Sequence, residues 1–236
     1  MMTRYFIILF FGLSIGCQPE PETIPYRLEM RLLQLELAVL NEDVEMVRLL
    51  ADEVSEIYKE VYPESENEID VVKRMVNAIK ENHTFQAEYT HLIGLKELII
   101  NLPENPSFRD GHLDALLVYG NKLLPVLKVS TDVMMDLYEW NEFYELSKNL
   151  KEAWIVLDGE PVSQELLRYN TLKATYQARA IDELRIAMND FMASMERKDD
   201  TLYDICSNAE TVRDRYVDYL EVLSSIQPDF QGDMLE

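Results

Sequence analysis

The chain has 236 residues, 47% of them apolar, with 22 basic residues against 44 acidic ones and a formal charge of −22. The apolar fraction is that of a folded chain long enough for a proper core. The acidity excludes docking on phosphate backbones, so no nucleic-acid partner is expected, and it disfavours adhesion to anionic lipid.

In chain order, Arg4 precedes an apolar run from Tyr5 to Gly16. The run is too short to span a bilayer and has the length of a signal-peptide core. With its small Gly16 before Cys17, the stretch Ser14-Ile15-Gly16-Cys17 resembles the lipobox of bacterial lipoproteins, departing from it at Ser14, where Leu is usual. The resemblance implies a signal peptide over 1–16, removal before Cys17, and a diacylglyceryl thioether on Cys17. Gln18 replaces the Asp that commonly retains lipoproteins in the inner membrane of enteric-type bacteria, which implies the outer membrane, on its periplasmic or surface face. Ordinary secretion with Cys17 incidental is the rival, and it lacks an A-x-A cleavage site. With Cys17 lipidated, Cys206 has no intrachain disulfide partner. Its neighbours Leu202 and Ile205 make it a packing thiol, and no His follows His112 to serve as its base.

Residues 18–25 hold three prolines and read, with Cys17, as an extended tether over 17–25. From Tyr26 the pattern is helical almost throughout: seven glycines occur in the whole chain, and strand-like alternation is missing. Met30, Leu33, Leu37 and Leu40 share one helical face. Asn41 and Asp43 offer an N-cap for a second helix through Val47, Ala51, Val54 and Tyr58, which Pro63 ends. Ile69, Val72, Val76 and Ile79 begin a third pattern that continues through Tyr89, Leu92 and Ile99, with Asn82–Thr84 either breaking it or exposing a polar turn. Two prolines around Asn105 mark a boundary at 102–107, and a fourth helix is expected from Phe108 to Leu124.

A shift of 100 residues pairs Pro25 with Pro125, Leu37 with Leu137 and Asn41-Glu42 with Asn141-Glu142, as a duplicated chain would. The expected fold is therefore all-α, an up-and-down bundle of two tandem four-helix modules over 26–124 and 125–228, with a tail at 229–236. The second module would hold helices near 126–140, 142–158, 163–197 and 200–226, with Ser163 as a cap and Lys198–Asp200 dividing the last two. A tetratricopeptide-like array is the rival, but the shift is not a multiple of 34.

The architecture is similar to cytochrome b562 and cytochrome c′ bundles. The c-type attachment motif CxxCH is missing, which rules out covalent haem of that kind. A b-type haem would call on Met30 and His112, which antiparallel first and fourth helices would place at opposite ends. Glu88 and His91 form an E-x-x-H, the spacing by which ferritin-like helices present metal ligands. His83, two turns earlier, and His112 complete the metal candidates, set against exposed or hydrogen-bonded histidines as the bland reading. Tyr138, Trp140, Phe143, Tyr144 and Trp154 form an aromatic group expected to pack the core. No G-x-S-x-G, P-loop, H-E-x-x-H or Gly-rich dinucleotide turn appears, and no catalytic residues can be chosen. The expectation is a non-enzymatic envelope lipoprotein, a helical scaffold without cofactor that binds a protein partner. The alternative is a bundle holding a metal ion or b-type haem.

Overall fold

The computed structural model describes residues 24–81, 85–100, 112–130, 137–160, 171–197 and 200–224. These form eight helices: α1 (Ile24–Leu40), α2 (Val44–Val61), α3 (Glu66–Glu81), α4 (Phe85–Ile100), α5 (His112–Ser130), α6 (Leu137–Gly159), α7 (Thr171–Glu196) and α8 (Leu202–Ser224). Cys17, His83, Ser163, the 102–107 boundary and the 229–236 tail lie outside the described residues.

The fold is all-α, and consecutive helices pack as neighbours. Ion pairs fix their sense. Arg27 faces Glu60 and Arg31 faces Glu53, so α1 and α2 are antiparallel. Likewise Arg215 meets Glu183 and Tyr219 meets Gln177 between α8 and α7. The contacts close into rings. α1, α2, α3 and α4 form one ring, α5, α6, α7 and α8 another, and α1 and α4 join α8 and α5 across a central seam. One buried apolar cluster runs through both rings, from Leu28 to Leu223.

Several boundaries have local causes. After α1, Asp43 N–H donates to the Ala38 carbonyl and Glu42 N–H to that of Val39. This is the Schellman pattern, with Glu42 at φ 55° where glycine is usual. Asp43 then caps α2 by accepting from Met46 N–H at 3.1 Å. At the head of α8, Thr201 and Asp204 exchange bonds as a capping box.

Four expectations are corrected. Pro25 lies in the first turn of α1, a position that needs no N–H donor, so the helix begins two residues inside the expected tether. α5 does not stop at Leu124 but runs through Pro125. Leu123, Leu124, Val126 and Leu127 are all buried around it, and that packing outweighs the roughly 3 kcal/mol an interior proline costs. Asn141-Glu142 is no turn. α6 passes through it because Phe143, Ser147, Leu150, Trp154 and Leu157 keep one buried stripe across the site. The third apolar pattern, expected either as one helix or as two parted near Asn82–Thr84, forms two packed helices, α3 and α4. That extra reversal sends α5 in the same sense as α1, so Met30 and His112 lie towards the same end of the bundle, not at opposite ends.

Candidate functional site

The most unusual chemistry lies at the centre of the seam. α1 is covered by α2, α4 and α8, and this enclosure buries two of its carboxylates, Glu29 and Glu36, two turns apart on one face. Lys96 on α4 reaches Glu36 at 2.7 Å, Nζ to Oε2, and neither side chain has exposed surface. The facing side comes from α5 and α8. A Cβ added at Gly120 would overlap Glu36 Oε1 and stand 2.6 Å from the Tyr216 hydroxyl and 2.7 Å from Lys96 Nζ. Each of the four seam helices thus contributes one residue, and the missing side chain of Gly120 makes the space in which the other three meet.

The Tyr216 hydroxyl donates to the Leu116 carbonyl at 3.3 Å, one turn before Gly120. Its ring meets Tyr119 edge-on at 5.1 Å, and Tyr119 meets Trp154 edge-on at 5.8 Å. The Tyr119 hydroxyl points to the Met188 sulfur at 3.2 Å. An aromatic wall therefore continues from the ion pair into the second ring.

Burial acts on both charges. It pushes the Glu36 carboxyl up, against the opposing pull of Lys96 and Tyr216, and it pushes the Lys96 amine down, against the pull of Glu36. Burial, reinforced by the Glu36 charge, also holds the Tyr119 and Tyr216 hydroxyls well above the ordinary phenol range. The Tyr216 hydroxyl beside Glu36 Oε1 gives its one proton to the Leu116 carbonyl, so its hold on that oxygen is weak and Oε1 has no well-formed hydrogen bond. A pair sealed this way gains little net stability against an apolar filling, while removal of one member leaves a stranded charge that costs about 3–5 kcal/mol.

Glu29 is a second buried acid. It is 1% exposed, both its oxygens lack a hydrogen-bond partner, and burial with the Asp114 charge pushes it up to about 9. At neutral pH it is mostly a neutral carboxylic acid.

The residues singled out by sequence fall elsewhere. Glu88 is buried on α4 and His91 lies one turn further, half-buried. His112 opens α5, but its side chain, like His83, is outside the described residues. Among the described residues no three of His, Cys, Asp and Glu converge on a common point. Cys206 is half-buried, and burial together with Glu210 pushes its thiol up. Of the aromatic group, Phe143 and Trp154 are core residues and Trp140 stacks on Phe143 at 5.9 Å. Tyr138 and Tyr144 are exposed.

The sequence around Lys96 and Glu36 carries a signal of their burial. The neighbours of Lys96 at three and four positions either side are Leu92, Ile93, Ile99 and Ile100, all apolar, and for Glu36 they are Leu32, Leu33, Val39 and Leu40. A helical charge flanked so on both turns has no route to water. Compared with family models, with curated proteins and with solved structures, the chain matches none.

Proposed function

We propose that the chain is a non-enzymatic lipoprotein of a bacterial envelope, tethered through Cys17 and serving as a helical scaffold for a protein partner. The observation that carries the reading is the apolar run from Tyr5 to Gly16 that ends on Cys17, followed by a proline-rich stretch. Sealing of the central charges supports the non-enzymatic part: Glu36 and Lys96 have no surface that a substrate could reach. Among the described residues no helix is long and apolar enough to cross a membrane. On this reading attachment rests on the acyl chains, with the acidic body held in solvent.

Large apolar side chains on the outer faces of α6, α7 and α8 offer contact area for the partner, among them Tyr138, Ile155, Leu172 and Tyr203. The test is Cys17→Ala. The variant should keep its helical circular dichroism and leave the membrane fraction; a variant still sedimenting with membranes would refute the anchor.

A further inference from the structure

Two turns back along α1 from the Glu36–Lys96 pair, Glu29 is 1% exposed, and among the described residues neither of its oxygens has a hydrogen-bond partner. The arginines of α1 and the lysine of α4 are engaged elsewhere: Arg27 with Glu60, Arg31 with Glu53 and Lys96 with Glu36. The charge that does act on Glu29 is that of another acid, Asp114 in the first turn of α5. Helix register brings the two together. α1 and α5 run in the same sense with Gly120 against Glu36, so nearly two turns back along each helix Asp114 comes level with Glu29.

A buried carboxyl group with no donor beside it is held either by its own proton or by a cation. Here a second carboxyl group faces it, and Asp114 is only half-buried, which gives the pair a route to solvent. Two carboxylates cancel the charge of one divalent ion, and water entering beside Asp114 fills the coordination positions that the protein leaves open. Uptake displaces the Glu29 proton: the carboxyl O–H bond breaks, the freed oxygen binds the ion, and the proton passes to solvent.

We propose that Glu29 and Asp114 form a binding site for a hard divalent cation, Mg2+ or Ca2+, which ties α1 to α5 across the seam. The site shares no residue with the candidates His83, Glu88, His91 and His112, and it does not depend on the anchor at Cys17.

Thermal melts of the purified full-length protein test this, in chelator-treated buffer with MgCl2 or CaCl2 added and ionic strength held constant with KCl. At roughly ten times its dissociation constant the ion should raise the melting temperature by about 3–6 °C. Because one proton leaves, the apparent dissociation constant should fall about tenfold for each unit of pH between about 6.5 and 8. Glu29→Gln and Asp114→Asn should each abolish the shift, read within each variant as the difference made by the ion, so that changes in basal stability drop out. Glu56→Gln, at an exposed acid on α2, should keep it. An equal shift in all four proteins, as screening of the net charge alone would give, overturns the inference. So does no shift in the unsubstituted protein, a shift that persists in either Glu29→Gln or Asp114→Asn, or one that does not strengthen with pH.

Discussion

Glu36 Oε2 and Lys96 Nζ meet at 2.7 Å with no exposed surface on either side chain, in a space that exists because residue 120 has no side chain. A buried pair of this kind specifies more than it stabilises. Lys96→Met alone strands the Glu36 carboxylate and should lower unfolding free energy by about 3–5 kcal/mol. Lys96→Met with Glu36→Leu should recover most of that loss or exceed the parent. Urea denaturation of the three proteins checks it: the pair is net stabilising, contrary to this account, should the double variant stay as weak as the single one.

Two helical glycines, Gly94 in the first ring and Gly120 in the second, should respond oppositely to alanine. At Gly94 the added carbon would approach the flexible end of Met75 at 3.3 Å, so helix propensity wins and Gly94→Ala should gain about 0.5–1 kcal/mol. At Gly120 the obstacle is a fully buried carboxylate with nowhere to move, and Gly120→Ala should lose about 1–3 kcal/mol. Thermal melts of the two variants give the signs directly.

Glu29 makes stability depend on pH. Its carboxyl goes from the ordinary 4.5 in the unfolded chain to about 9 in the folded one, so the folded state holds the proton more tightly. The stability this contributes is complete below 4.5 and drains away as pH rises towards 9. Glu29→Gln keeps the shape and removes the titration. It should match the parent at pH 4 and exceed it by about 3 kcal/mol at pH 7. Denaturation midpoints at the two pH values measure the difference, and an equal gap at both would remove Glu29 as the cause.

At the α1–α2 corner, Glu42 holds a left-handed backbone that glycine adopts without strain. Glu42→Gly should stabilise by about 1 kcal/mol, visible as a higher melting temperature with unchanged helicity.

Sequence pattern revealed the helices that have one wet face and failed on those that have none. Ile69, Val72, Val76 and Ile79 on α3 are the residues expected, and all are buried, because α3 faces solvent on its other side. On α1 the expected face of Met30, Leu33, Leu37 and Leu40 is only part of the core. Leu28, Leu32, Leu35 and Val39 are buried as well, since three helices cover α1. Pro125 and Asn141-Glu142 misled for a common reason: local propensity argued for breaks that long-range packing overrides. The apparent duplication suffers accordingly, because Asn41-Glu42 is a turn while Asn141-Glu142 lies inside α6. Among 44 acidic residues Glu36 is set apart only by its apolar neighbours, and nothing local joins Gly120 and Tyr216 to it without the fold.

The anchored state of the protein is the claim on which its proposed role depends. The direct measurement is the intact mass and N-terminal peptide of the protein extracted from the membranes of a bacterial host that processes lipoproteins. The account predicts a chain that begins at Cys17 and carries a diacylglyceryl group, usually with an added N-acyl chain. An unmodified Cys17, or a mature chain beginning elsewhere, would contradict it.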